Sequence, residues 1–185
     1  MIIISAPSGA GKSTIIKAIL DSGMDIEFSV SACSRPMRNG EQDGVHYHFL
    51  SVDDFKRRID NDEFLEWEEV YKNHFYGTLK SELSRIWDKG KTILIEADVY
   101  GGVSIKSQYG AQVLSIFIRP PGLAQLKERL INRSTDKQEH IETRLAKAQE
   151  EMDLADKFDT IVVNDDLDTA VREAKAVIQS FLSHG

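Results

Sequence analysis

Nine consecutive residues constrain this chain most. Ala6-Pro7-Ser8-Gly9-Ala10-Gly11-Lys12-Ser13-Thr14 follow the apolar run 1–4 and lead into a helical pattern that starts near Ser13. Glycines in a strand-to-helix turn let backbone N–H groups point inward on phosphate oxygens, a lysine at its end reaches the β and γ oxygens, and the serine hydroxyl ligates Mg²⁺. The N-terminus of the helix adds favourable partial charge. This unit reads as a P-loop, so the chain is expected to bind a nucleoside triphosphate as its Mg²⁺ complex through residues 6–14, with Ser13 on the metal. The pattern G-x-x-x-x-G-K-[ST] has glycine where this chain has Ala6, a position that tolerates a methyl group if φ stays negative.

Four short apolar runs, 1–4, 92–97, 112–118 and 160–163, alternate with helix-like stretches. That order produces an α/β fold, a parallel sheet flanked by helices. Between the first two runs lies an insertion, 28–78, in which alternating segments such as 45–50 predict a small separate sheet. Its one clear helix begins at Ser51, with Asp54 three residues on as a capping-box partner. A second insertion, 134–157, is densely charged and apolar at Ile141, Leu145, Ala148 and Met152, the spacing of an exposed amphipathic helix. The closing helix repeats apolar residues at 167, 171, 174, 178 and 181 and should dock on the core.

With 185 residues, 41% of them hydrophobic, the chain can bury one sizeable core but not two large domains. A net charge of −7 argues against a broad basic surface for nucleic acid, so any phosphate site must be local. The only cysteine, Cys33, excludes an internal disulfide, which makes the cytoplasm the default location. The apolar start is too short for a membrane span, and the five histidines have no cysteine partner at zinc-ligand spacing.

A P-loop does not name the acceptor. Arg35 and Arg38, three apart, held by Pro36 and followed by Tyr47, could grip a phosphate dianion. Taken alone they could equally be surface arginines on a solvated turn. Taken with Glu63-Phe64-Leu65-Glu66-Trp67, Tyr76-Gly77-Thr78, Ile95-Glu96-Ala97-Asp98 and Val163-Asn164-Asp165-Asp166, the segment closely resembles the guanylate kinase family. The resemblance runs in the family's order from Ile3 to the last helix. Tyr100, where some relatives carry glutamine, and an extra residue within 68–73 depart from the pattern.

The resemblance implies a P-loop nucleoside monophosphate kinase fold over 1–185. Its core would be about 1–27, 79–133 and 158–185, with a GMP-binding insertion at about 28–78 and a lid at about 134–157. Arg35, Arg38, Tyr47 and Tyr76 match the family's GMP phosphate ligands, and Ser31, Glu66 and Thr78 the residues that face guanine. Asp98 matches an acid near the GMP and the metal's water shell. Arg133 and Arg144 match lid arginines, with Arg129 assisting, and Asn164 lies near the adenine of ATP. The catalytic set is then Lys12, Arg35, Asp98, Arg133 and Arg144.

Chemistry supports the base assignment independently, since guanine offers two neighbouring donors to a carboxylate where adenine offers an acceptor. The implied activity is transfer of a phosphoryl group from Mg-ATP to GMP, and to dGMP, with no nucleic-acid or membrane partner and an open oligomeric state. Two rivals remain: a kinase for another phosphorylated acceptor, and a guanylate kinase-like binding module without turnover. Cys33 and Trp67 are read as packing residues.

Overall fold

The computed structural model describes residues 1–132 and 138–184. In chain order the strands are β1 (Ile2–Ser5), β2 (Ile26–Phe28), β3 (Ala32–Cys33), β4 (His48–Phe49), β5 (Phe64–Tyr71), β6 (His74–Leu79), β7 (Thr92–Glu96), β8 (Leu114–Arg119) and β9 (Thr160–Val163). The helices are α1 (Lys12–Leu20), α2 (Val52–Asp60), α3 (Lys80–Trp87), α4 (Val99–Tyr109), α5 (Leu123–Asn132), α6 (Gln138–Asp153) and α7 (Leu167–His184). They group into two compact units. One holds Ile2–Met24 and Asp98–Gly185; the other holds Asp25–Ala97 with Met1.

In the first unit β8 pairs in parallel with β1 and with β9. All four residues of β1 are buried, as a continuous apolar run requires in a parallel sheet covered by helices. Helix α1 turns Ile15, Ile16 and Ile19 inward, and α7 buries Ala170, Ala174 and Ile178. The two alanines let α7 approach α1, with which it is in contact. Leu167, expected to join that docked face, is 40% exposed because it opens the helix beside a cleft. Helix α4 packs on β1 and β8. Gly102 allows this, since a Cβ there would stand 2.5 Å from Ser5 Oγ and 3.0 Å from the Phe158 ring.

The strand expected at 112–118 begins at Leu114, because Gly110–Gln112 forms a 3-10 turn. The helix expected across 134–157 ends at Asp153, before a second such turn at Ala155–Lys157. It is less exposed than its charge suggested. Ile141, Ala148 and Glu151 are buried, and Ala148 and Leu145 pack with Leu126 and Leu130 of α5.

The second unit contains the parallel pair β2–β7 and a four-stranded sheet in the order β4-β3-β6-β5. Strand β2 was not among the expected strands. The predicted strand over 45–50 contracts to His48–Phe49, because the chain before it turns: His46 N–H bonds Gln42 O at 3.1 Å, and Val45 is 59% exposed. Helix α2 starts as its sequence predicts, with Ser51 Oγ accepting from Asp54 N at 3.0 Å. It presents Phe55 to Phe64 and Phe75, whose ring centroids lie 4.3 and 5.4 Å away, and these rings with Ala32 and Leu79 form the core.

Candidate active site

The loop after β1 takes its shape from two glycines. Gly9 and Gly11 have φ of +92° and +96°, the left-handed region that L side chains rarely adopt. At Gly11 a Cβ would lie 2.2 Å from Asn164 Nδ2. Ala6 is buried, and the only described non-glycine residues with positive φ are Asp62 and Asn73. The sixth position therefore needs no glycine. Gly11 is the N-cap of α1 and provides no side-chain cap, which leaves the first-turn N–H groups to be satisfied from outside the helix.

The loop is braced by its neighbours. Asn164, 4% exposed, donates from Nδ2 to Ala10 O at 2.7 Å, and its own N–H bonds Arg119 O at 2.8 Å. Arg129 Nη2 donates to Asn164 O at 2.9 Å. Arg129 and Asn164, with Gly9, Gly11, Thr14, Asp165 and Leu167, line a cleft of about 400 Å³ beside the loop. Arg144 of α6 donates to Ser8 Oγ at 2.5 Å, so one of the expected lid arginines already touches the loop. Arg133, the other, lies outside the described residues.

Asp98 caps α4, its Oδ1 accepting from Gly101 N at 2.7 Å, while its carbonyl accepts from Ser5 Oγ at 3.1 Å. Glu151 of α6 is a residue the sequence reading missed. It is 7% exposed, and burial, reinforced by the Asp98 charge, pushes its carboxyl up against the opposing pull of Lys147 and Lys12. Its position inside the apolar stripe of α6, between Ala148 and Met152, was the available signal.

In the other unit, strand register assembles the expected acceptor residues. Glu66 pairs with Thr78 across β5 and β6, and Thr78 Oγ1 donates to Glu66 Oε1 at 2.8 Å. Strand β3 runs antiparallel to β6 with Ala32 opposite Gly77. Continuing that register by one residue sets Ser31 beside Thr78. Ser31, Thr78 and Glu66 therefore form one cross-strand row, and residues directly opposite one another share a face. Gly77 permits the close approach, since a Cβ there would stand 2.6 Å from Glu66 O. Trp67, expected to be packed, sets its ring 6.2 Å from that of Phe75 on the opposite face from Glu66 and stays 46% exposed.

Arg35 is 8% exposed, its guanidinium 5.1 Å from the Tyr47 ring centroid and 5.5 Å from that of Phe49. Tyr47 meets Tyr76 edge-on at 5.9 Å. Burial, with the Glu96 charge, pushes the Tyr47 hydroxyl up. The structure also commits Arg35 to an internal partner: its Nη1 and Nη2 donate to Glu41 at 2.7 and 2.6 Å. Glu41 accepts from Arg38 N at 2.7 Å as well. The Arg35 bonds, then the Arg38 amide, hold the Glu41 carboxyl at about 2. The Arg38 side chain is exposed. Glu41 had no role in the sequence reading, although a glutamate six residues after a buried arginine in a turn was there to be seen.

A glycine-shaped loop between a parallel strand and a helix, in an α/β unit, defines a P-loop nucleotide-handling protein. The guanylate kinase family model matches residues 1–181. Among curated proteins, the guanylate kinase of Bacteroides fragilis is 51% identical over 182 residues, 98% of this chain and 89% of its own length. That of Porphyromonas gingivalis is 48% identical over 184 residues, covering 99% and 98%. The crystal structure of guanylate kinase from Anaplasma phagocytophilum superposes with a TM-score of 0.77 at 27% identity, covering 97% of this chain and 84% of that one. The chain belongs to the guanylate kinase family.

Proposed function

We propose that this chain phosphorylates GMP, and dGMP, at the expense of Mg-ATP, releasing GDP or dGDP and ADP. The observation that carries this reading is the row Ser31–Thr78–Glu66, in which a hydroxyl fixes the orientation of a carboxylate on a sheet face. Guanine presents N1–H and its 2-amino group side by side, two donors that such a carboxylate accepts together, whereas adenine turns an acceptor to the same place. The row thus selects the base, and Arg35, Arg38, Tyr47 and Tyr76 are assigned to the phosphate. Because Glu41 holds both terminal nitrogens of Arg35, the phosphate takes the remaining edge of that guanidinium or displaces Glu41.

On the donor side the N–H groups of loop 6–11 and of the first turn of α1 receive the triphosphate. The exposed Ser13 hydroxyl, at the mouth of the loop, is a hard oxygen donor that suits Mg²⁺. When bound, that ion neutralises charge on the triphosphate. A GMP phosphate oxygen attacks the γ-phosphorus, the bond from that phosphorus to the ADP oxygen breaks, and ADP keeps the electron pair. No base is required, because a phosphomonoester is largely dianionic above its second pKa of about 6. Lys12, Arg144 and Arg133 offset the charge on the transferring group, and Asp98, which caps α4, orients the surrounding water and acceptor.

The residues assigned to ATP lie in one compact unit and those assigned to GMP in the other, except Asp98, which lies in the unit with the P-loop. The proposed GMP-binding insertion, about 28–78, lies within the unit Asp25–Ala97, which also takes in residues 79–97 of the proposed core. The cytoplasm is the proposed location, in keeping with the single free, buried Cys33. No helix among the described residues is long and apolar enough to cross a membrane.

The test is ADP release from Mg-ATP with GMP, AMP, CMP or UMP offered in turn, using wild type and Glu66→Ala. Rapid release with GMP alone, lost or relaxed by about 10²-fold or more in the variant, is expected. Release with none of them, despite ATP binding, would move the protein to another acceptor or to a binding role.

A further inference from the structure

The chain leaves β2 for the acceptor sheet through Ser29–Val30–Ser31 and comes back through β6 into α3. One buried carboxylate ties these passages together. Glu82 of α3 is 4% exposed, and its Oε2 accepts from Val30 N at 2.8 Å. Arg85, one turn on, donates to Glu82 Oε1 and Oε2, each at 2.8 Å, and to Phe28 O at 3.2 Å, while also bonding Glu27. The ring Nε2 of His48 meets Glu82 Oε1 at 3.3 Å, and the His48 backbone N–H donates to Ser31 O at 2.9 Å.

Ser31 is therefore held from both sides, by Val30 N–H on Glu82 and by its own carbonyl on His48, whose ring leads back to the same carboxylate. A buried charge is costly, and a well-packed apolar residue often stabilises as well or better. Here the charge serves a backbone N–H and a histidine at the end of the base-facing row.

We propose that Glu82 is a positioning residue for base recognition, fixing the Val30–Ser31 backbone so that Ser31 stays in line with Thr78 and Glu66. This rests on the GMP reading above. Glu82 touches no substrate; it acts through Val30 and His48.

The experiment compares Glu82→Ala and Glu82→Gln with wild type, measuring KM for GMP, KM for ATP and kcat, with hydrogen exchange followed at the Val30 amide. Glu82→Ala is expected to raise KM for GMP by about 10-fold, the scale of losing a charge-assisted hydrogen bond, with KM for ATP and kcat within about 2-fold. Val30 exchange should quicken. Glu82→Gln keeps an acceptor oxygen for Val30 and should recover most of the KM. If Glu82→Ala does not fold, Glu82→Asp keeps the charge beside Arg85 on a stem one methylene shorter, and the same GMP-selective rise is expected.

A loss of thermal stability with KM for GMP unchanged, or with both KM values raised alike, would reduce Glu82 to a scaffold residue and overturn the proposal. Unchanged exchange at Val30 beside normal wild-type turnover would do the same while leaving the proposed activity intact. Wild type inert toward GMP would instead remove the activity, and the positioning role with it.

Discussion

In the unit formed by Ile2–Met24 and Asp98–Gly185, the candidate phosphate cradle is a stretch of consecutive residues whose shape is set by backbone angles at Gly9 and Gly11. In the unit Asp25–Ala97, the candidate acceptor surface is assembled from Ser31, Arg35, Tyr47, Glu66, Tyr76 and Thr78, which strand register, ring contacts and ion pairs bring together. A phosphate can be held by amides that every residue except proline possesses, so one short loop suffices. A base edge must be read by side chains of chosen donor and acceptor character, and these come from several strands. The donor region consequently relies on glycine, and the acceptor region on ion pairs with one buried member, as Arg35–Glu41 and Glu82–Arg85 illustrate.

The sharpest way to break this contrast is Lys12→Met. If the two regions divide the work as proposed, the variant loses about 10²- to 10³-fold in kcat, the scale of deleting one charged group that faces a developing negative charge. GMP affinity measured by titration calorimetry should stay within about 2-fold of wild type. Normal turnover would remove Lys12 from the mechanism, and a parallel loss of GMP affinity would show that the regions are not separable.

The same contrast explains what could be read in advance. Residues 6–14 were legible as a candidate cradle because such a loop is a run of consecutive residues, and only Ala6 looked out of place until its φ proved not to be positive. The apolar runs of β1, β7 and β8 were legible for a similar reason, most of their residues being buried on both faces. Strand β2 was not, because three residues with Glu27 at their centre carry no periodicity. Glu27 is there to bond Lys89 and Arg85, with Lys91 3.3 Å away, contacts made some sixty residues along the chain. Trp67 packs on Phe75 as read but keeps nearly half of its surface exposed, which its sequence neighbours did not show. Glu41, Glu82 and Glu151 were passed over because an acidic residue is normally solvated, and the burial of Glu82 and Glu151, like the pairing of Glu41 with Arg35, is a product of the tertiary fold.

A gentler probe of the acceptor region uses pH. Arg35 and the Arg38 amide depress the Glu41 carboxyl to about 2, below its ordinary value of about 4.3. A depressed carboxyl contributes stability that is fully present above the ordinary value and is lost as pH falls through the folded one. Melting temperatures of wild type and Glu41→Gln should accordingly differ by a constant amount from pH 7 to about pH 5, and the gap should narrow below about pH 4. A gap that persists undiminished to pH 3 would mean that Glu41 contributes through shape and neutral hydrogen bonding, and that the acceptor region relies less on charge than its ion pairs suggest.

The smallest expected effect concerns the segment on which the Glu82 anchor acts. Ser29 is 1% exposed, and its N–H bonds Leu94 O at 2.9 Å, yet its Oγ is buried without a hydrogen-bond partner among the described residues. A hydroxyl taken from water and left unpaired costs free energy, whereas removing it leaves only a small void to set against that gain. Ser29→Ala should thus be neutral or more stable by up to about 1 kcal/mol in denaturant unfolding, with KM for GMP unchanged because Val30 and Ser31 keep their anchors. Destabilisation well beyond 1 kcal/mol would mean that the Ser29 hydroxyl has a partner in solution, and that it adds a further polar contact to those that Glu82, His48 and Leu94 make with the crossing into the acceptor region.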